Sequence, residues 1–235
     1  MRAIILSAGK GMRMQDFNND LPKVLLPILN KPMLLWNIEL LKKYGITDIA
    51  INTHYLAEKI KEYLEDGRKF GVNIKYSYES ELLGTSGALN NFREFFTNTF
   101  LVVYGDVLSN MDLSRLIKFH NDKKASATLV VRKTDHPLDS DIVQLDKNDG
   151  VVGVYHKPGT LDFGDIGNAA WYILEPDVFN YITPGHSDFI KDVFPRMIAD
   201  KKIVYGYMTT EFIKDAGTPE RLMQVQKFLK EILAQ

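Results

Sequence analysis

Apolar runs and amphipathic stretches alternate along the first 131 residues. Ala3-Ile4-Ile5-Leu6 is apolar at every position, the pattern of a strand buried on both faces. A loop carrying glycines and cations follows, from residue 8 to Pro22. Pro32 then opens a helix with Leu34, Ile38 and Leu41 on one face, and Gly45 ends it. Residues 49–51 predict a second buried strand, 57–64 a second helix, 74–78 a third strand and 100–104 a fourth. Residues 113–122 have the helical period, and 127–131 predict another strand. Strand–helix repetition of this kind builds a mostly parallel sheet covered by helices.

Beyond residue 131 the rhythm changes. Residues 142–145 and 151–155 flank Asp149-Gly150, a hairpin turn signal. Residues 169–174 and 203–208 predict strands, and 177–181 and 189–200 helices. Thr218-Pro219-Glu220 is a helix start: a capping hydroxyl, proline at the first position, then an acid. Leu222, Val225, Leu229 and Ile232 give that helix its apolar stripe. No Pro/Gly/Ser linker separates the halves. The expectation is one domain over 1–235, with a change of organisation at about residue 131.

Composition removes several classes of function. Lys and Arg total 29 against 30 Asp and Glu, whereas a nucleic-acid binder carries a basic excess. No cysteine is present, so disulfides, thiolate metal sites and a cysteine nucleophile are excluded. The five histidines are scattered without metal-ligand spacing. Residues 3–6 are too short an apolar run for a membrane span or signal segment, so a cytoplasmic location is expected.

The candidate chemistry sits in five places. Leu6-Ser7-Ala8-Gly9-Lys10-Gly11-Met12-Arg13-Met14 places glycines after a buried strand, where backbone amides can approach phosphate. It misses the dinucleotide fingerprint, because Met14 stands where a third glycine is needed, and it misses the Walker motif. Lys10, Arg13 and Lys23 surround this turn with cations suited to a triphosphate; a plain strand-to-helix turn would use the same glycines. Gly84-Thr85-Ser86-Gly87 is a second glycine pair, equally readable as a helix entry. Asp106 follows a central apolar strand, where open α/β sheets bind ligands. Asp215 lies in a glycine turn before the last helix. Two carboxylates suit Mg²⁺, the usual companion of phosphates. Lys157 ends the hairpin with a cation.

In this order the segments resemble the sugar-1-phosphate nucleotidyltransferase family over essentially the whole chain. Leu6–Arg13 with Pro22-Lys23 is similar to the family's L-A-G-G-x-G-x-R and P-K opening, Leu83–Ala88 to its L-G-T-x-G-A, and Gly105-Asp106 to its G-D. His156-Lys157-Pro158 is similar to E-K-P, Asn168-Ala169-Ala170-Trp171-Tyr172 to N-A-G-x-Y, and Asp215–Pro219 to D-x-G-T-P. The resemblance implies a Rossmann-like, three-layer α/β fold with a mostly parallel mixed sheet, of the glycosyltransferase-A-like nucleotidyltransferase kind. It implies that Arg13 and Lys23 are the catalytic cations on the triphosphate. Leu6, Ala8, Gly9, Gly11, Gly84, Thr85 and Gly87 would bind the nucleotide. Asp141, Lys157 and Asn168 would bind the sugar phosphate, Asp106 and Asp215 would hold Mg²⁺, and the single domain would divide into a nucleotide-binding half (about 1–131) and a sugar-phosphate-binding half (about 132–235).

Departures refine this. Ser7-Ala8 replaces Ala-Gly, and Ser140-Asp141 stands where many members have Tyr-Gly. The run from His136 to Asp141, with Asp188-Phe189 and Lys191-Asp192, is similar to guanylyltransferases acting on manno-configured heptose 1-phosphates. The implied partners are a nucleoside triphosphate, GTP favoured, and a sugar 1-phosphate, with neither nucleic acid nor membrane; a homo-oligomer is compatible. Mannose 1-phosphate with GTP, or another hexose 1-phosphate with UTP or dTTP, is the alternative pairing. A non-catalytic, nucleotide-sugar-binding regulatory subunit is the alternative of another class. The retained charges at Arg13, Lys23, Asp106, Lys157 and Asp215 favour an enzyme.

Overall fold

The computed structural model describes residues 1–11 and 20–233, with side chains to residue 231. The first strand is β1 (Arg2–Leu6). A small hairpin, β2 (Pro27–Ile28) and β3 (Lys31–Pro32), precedes α1 (Met33–Lys43), β4 (Asp48–Thr53), α2 (Ala57–Leu64) and β5 (Asn73–Tyr78). Then come α3 (Gly84–Gly87), β6 (Phe100–Tyr104), β7 (Val107–Ser109), α4 (Leu113–Lys123) and β8 (Ala127–Lys133). The chain continues through β9 (Ile142–Leu145), β10 (Val151–Tyr155), β11 (Ile166–Leu174) and α5 (Phe194–Ala199). It ends with β12 (Val204–Met208), β13 (Ile213–Asp215) and α6 (Pro219–Leu233). No described helix is long and apolar enough to cross a membrane.

Two compact units form, interleaved along the chain. The first comprises Met1–Leu82, Val103–Met111 and Glu211–Gln235; the second comprises Leu83–Val102 and Asp112–Thr210. In the first, β1 runs parallel to β4, and β4 parallel to β5. Ala3, Ile4 and Ile5 are fully buried, which is why β1 carries no alternation. α1 buries Met33, Leu34, Leu35, Ile38 and Leu41, each apolar side chain contributing about 1.5–3 kcal/mol. β7 and β13 form an antiparallel ribbon. On α6, Val225 and Leu229 pack with Ile28, Met33 and Leu108, and Leu222 flanks them. Ile232, the last residue of the expected stripe, has a side chain outside the described set. Thr218 caps α6, its hydroxyl accepting from the Arg221 N–H at 3.3 Å.

In the second unit β9 and β10 make the expected hairpin around Asp149, which has φ 69°. β11 lies antiparallel to β8, and β12 parallel to β8. Stacked rings of Phe96, Phe100 and Phe179 fill one part of the core, and Tyr172, Phe189 and Phe194 another. Two expected helices differ. Residues 176–180 form a single 3-10 turn, and Phe189–Val193 a wide π turn before α5. Pro195 is the reason for the second: it has no N–H to continue an α ladder backwards. The ribbon β7/β13 and the hairpin β2/β3 have two or three residues per strand, too short for any period to show.

Candidate functional site

In the first unit the site grows from the end of β1. Its carboxyl end leads into a buried Ser7 and Ala8, then an exposed Gly9 and Lys10. A Cβ on Gly9 would meet no atom within 4 Å, and Gly11 has φ 61°. Gly9 therefore leaves the backbone open, and Gly11 takes a left-handed turn that glycine favours. Arg13 lies outside the described residues.

Pro22 starts a short 3-10 turn that buries Lys23. The Lys23 Nζ donates to Asp106 Oδ2 at 2.5 Å. Asp106 is held by its neighbours on both sides. Before it, the Gly105 N–H donates to the Leu6 carbonyl at 2.8 Å, and the Gly105 carbonyl accepts from Asn37 Nδ2 at 3.2 Å. A Cβ on Gly105 would sit 2.8 Å from Leu6 O and 2.9 Å from Ser7 Oγ, so glycine is required there. On the other side the Asp106 carbonyl accepts from the Ala216 N–H at 2.8 Å. The ribbon sets Val107 opposite Asp215. The short β7/β13 ladder is thus what brings the two sequence-distant aspartates to one place.

Asp215 has a partner that sequence reasoning missed. Arg221 Nη1 donates to both of its carboxylate oxygens, at 2.9 and 3.0 Å, and the Gly217 N–H donates to Oδ1 at 3.1 Å. The available signal was the Arg at the third position of a capped helix, six residues past an aspartate. Among the described residues, each aspartate thus pairs with one cation, Lys23 or Arg221.

Among the described residues, no group of three or more His, Asp or Glu side chains is arranged around a metal position. Mg²⁺ does not need one. It keeps several waters and takes one or two carboxylates plus substrate phosphate oxygens. Asp106 and Asp215 supply that hard-oxygen donor set. Asp106 Oδ1 has no partner among the described residues, and a cation at Asp215 would share that carboxylate with Arg221. The donors fit Mg²⁺.

In the second unit the glycine pair has a packing role. Gly84 has φ 77°, and its Cβ would lie 2.3 Å from Ser187 O. At Gly87 a Cβ would lie 2.4 Å from Gly185 O. The Ser86 and Gly87 N–H groups both donate to Ser187 O, at 3.0 and 3.1 Å. The Thr85 hydroxyl donates to Asp188 Oδ2 at 2.8 Å and accepts from the Phe189 N–H at 3.0 Å. Asp188 also accepts from the Ile190 and Lys191 N–H groups. The close approach allowed by Gly84 and Gly87 is therefore to the chain's own backbone at 185–187.

The three residues expected at the sugar phosphate lie on neighbouring strand ends. Asp141 precedes β9, and its carbonyl accepts from the Asn168 N–H at 2.8 Å. Its Oδ1 contacts His156 Nδ1 at 2.7 Å. Burial pushes the Asp141 carboxyl up, opposed by His156 and Lys157 and reinforced by Asp188. Lys157 is exposed and has φ 41°. Asn168 Nδ2 donates to the Tyr172 hydroxyl at 2.8 Å, and its Oδ1 accepts from the Ala170 N–H at 3.2 Å. The ladder to β8 is irregular between Asn168 and Tyr172, and Ala170 sits there at φ 59°. A bulge with a strained residue is a device for aiming a side chain. His120 is buried in the second unit, with Nδ1 2.8 Å from Thr128 Oγ1 and Nε2 3.2 Å from Glu175 Oε1.

Comparison with known proteins gives the chain a family and a fold. The family model described as Nucleotidyl transferase matches residues 2–232. The chain is 36% identical over 214 residues to UTP--glucose-1-phosphate uridylyltransferase of Synechocystis, covering 84% of this chain and 55% of that protein. It is 32% identical over 221 residues to mannose-1-phosphate guanylyltransferase of Mycobacterium tuberculosis, covering 93% and 61%. The chain thus spans somewhat over half the length of these curated relatives. Among solved structures, HddC from Yersinia pseudotuberculosis complexed with GMP-PN superimposes with a TM-score of 0.81 at 22% identity, covering 97% of this chain and 99% of that chain. That likeness establishes the fold: α/β, with a mixed, mostly parallel central sheet.

Proposed function

The chain belongs to the nucleotidyl transferase family, and from that premise we propose that it transfers a nucleotidyl group from a nucleoside triphosphate to a sugar 1-phosphate. The favoured pair is GTP with a manno-configured heptose 1-phosphate. The run from His136 to Asp141 supports this choice, as does the likeness to a protein solved with GMP-PN. The relatives named for mannose 1-phosphate and for UTP with glucose 1-phosphate mark the alternatives. The observation that carries the reading is the Lys23–Asp106 ion pair, set beside Asp215 at the exit of β1.

The chemistry balances without a protein nucleophile. A sugar-phosphate oxygen attacks the α-phosphorus, the bond from that phosphorus to the bridging oxygen breaks, and pyrophosphate leaves with the electron pair. The chain's work is to position two polyanions and offset their charge. The backbone amides at Ala8, Gly9 and Gly11 receive phosphate oxygens, and Leu6 supports the turn. Lys23 has three donors and spends one on Asp106, which leaves its charge directed to the phosphates. Arg13 adds a second cation to them. At the Gly84–Gly87 turn the Ser86 and Gly87 N–H groups and the Thr85 hydroxyl are committed within the chain, so its contact to the nucleotide would come from the backbone at Gly84 and Thr85. Lys157 offsets the charge of the sugar phosphate, and Asp141 and Asn168 supply hydrogen-bonding groups to the sugar. Mg²⁺ held by Asp106 and Asp215 would neutralise charge on the phosphates.

A panel of GTP, ATP, UTP, CTP and dTTP against sugar 1-phosphates tests the proposal, read as pyrophosphate release with Mg²⁺. Release with GTP and a manno-configured phosphate supports the favoured pair. Release with UTP or dTTP and glucose 1-phosphate replaces that pair and keeps the reaction. Binding of a nucleotide sugar with no release from any pair assigns the chain to the non-catalytic class.

A further inference from the structure

The parallel ladder between β1 and β4 ends at Leu6 opposite Asn52. Ser7 is the first residue beyond it, is buried, and has no strand position from which to find a partner for its N–H. The Asn52 side chain takes over: its Oδ1 accepts from the Ser7 N–H at 2.8 Å. Asn52 Nδ2 in turn donates to Glu79 Oε1 at 2.7 Å. All three residues are at most 3% exposed. Glu79 follows β5, fixed by its N–H donating to the Thr53 carbonyl at 2.8 Å and by its own carbonyl 2.8 Å from His54 Nδ1.

We propose that Asn52 and Glu79 are positioning residues for the loop at Ser7–Gly11, setting the direction in which the chain leaves β1. The chemistry of the pair makes the arrangement one-way. An ionised carboxylate only accepts hydrogen bonds, so it must face the amide NH₂ of Asn52. That turns the Asn52 carbonyl oxygen toward Ser7. Without Glu79 the amide can flip and present NH₂ to an N–H, which leaves a buried donor orphaned. The relay crosses the carboxyl ends of β1, β4 and β5 in order, the edge at which open α/β sheets take their ligands. Neither residue need touch the nucleotide. Each acts through the backbone of Ser7, and so through the amides at Ala8 and Gly9 that follow it.

The inference rests on the loop being the triphosphate site, and the experiment separates the two. Inorganic tripolyphosphate is the probe, because it carries no base and needs no turnover. Its binding is measured by calorimetry, well below the melting temperature, for the wild type, Asn52→Ala, Glu79→Leu and Glu79→Gln. Hydrogen exchange of the peptide spanning residues 3–11 is followed in parallel. Asn52→Ala and Glu79→Leu are expected to weaken tripolyphosphate at least about five-fold, the low end for an orphaned buried donor, and to speed exchange in that peptide. Glu79→Gln keeps an acceptor for Asn52 and is expected to stay within about two-fold. If Asn52→Ala does not fold, the contrast between Glu79→Leu and Glu79→Gln decides alone. Folded Asn52→Ala or Glu79→Leu protein that binds and exchanges like the wild type overturns the relay while the loop assignment stands. Wild type that binds no tripolyphosphate overturns the loop assignment and the relay with it.

Discussion

Gly87→Ala sets two opposed effects against each other, and the structure decides between them. Gly87 has φ −58° and ψ −34°, ordinary helical values. Judged on conformation alone, alanine should stabilise the turn by about 1 kcal/mol. The new methyl carbon, however, would lie 2.4 Å from Gly185 O, 3.1 Å from the Ser187 nitrogen and 3.3 Å from Leu83 Cβ. The nearest two atoms are backbone and cannot rotate away. Reaching even 3.0 Å requires a shift of at least 0.6 Å, the difference between 3.0 and 2.4. Such overpacking typically costs about 1–3 kcal/mol. The shift also strains the pair of N–H donations from Ser86 and Gly87 to Ser187 O, a net hydrogen bond being worth about 1 kcal/mol. Sterics win, with a net loss of about 2 kcal/mol, or roughly 4–8 °C in Tm for a chain of this size. Scanning calorimetry on Gly87→Ala, with Gly9→Ala as the control, measures it. Gly9 has no neighbour within 4 Å and should change stability by less than about 0.5 kcal/mol. An unchanged or raised Tm for Gly87→Ala would refute the contact argument.

Two further outcomes follow from the same structure. Lys23→Ala and Asp106→Asn should each lower turnover by roughly 10²–10³-fold, the scale of one lost transition-state contact; near wild-type pyrophosphate release from folded Asp106→Asn would remove that carboxylate from the reaction. Burial holds His120 below its ordinary value of 6.5 against the pull of Glu175, so the unfolded chain takes up the proton first as pH falls through 6.5. Stability should therefore drop on acidification below that point, by at most about 1.4 kcal/mol per pH unit for this one group. Urea unfolding of wild type and His120→Gln at about pH 7.5 and about pH 5.5 measures the difference; identical pH dependences would show that His120 titrates alike in both states.

How much of this was legible in the residues depends on the length of the pattern that carries each element. β1, α1, β4, α2 and β6 each show an unbroken apolar run or a helical stripe, and all were expected where they occur. The ribbon of β7 and β13 is the counter-example. Three residues a side cannot display a period, yet this ribbon brings Asp106 and Asp215 together. The pairing of two carboxylates could be expected from the chemistry of phosphates, whereas the element that pairs them could not be seen. Arg221 was hidden differently. On an exposed-looking helix start an arginine reads as solvated charge, and only the turn from Asp215 to Thr218 directs it back onto the carboxylate. The π turn at Phe189 belongs to a third kind, where Pro195, inside the helix expected over 189–200, alters the ladder before it.

The glycines show how a motif can be right in position and incomplete in reason. A glycine beside a ligand and a glycine beside a neighbouring backbone look identical in sequence, because both need the space a Cβ would fill. The structure separates them by what that Cβ would strike. At Gly84, Gly87 and Gly105 it strikes carbonyl oxygens of Ser187, Gly185 and Leu6, so the protein's own packing already forbids a side chain there. At Gly9 it strikes nothing, and packing gives no reason for glycine. The usual alternative, a left-handed backbone, does not apply to Gly9 either, which is absent from the positive-φ positions. The proposed phosphate contact would supply a reason, beside the buried Ser7. Of these four glycines, Gly9 is thus the one whose identity the described packing does not explain, and a Gly9→Ala variant tested for tripolyphosphate binding would show whether the proposed phosphate contact does.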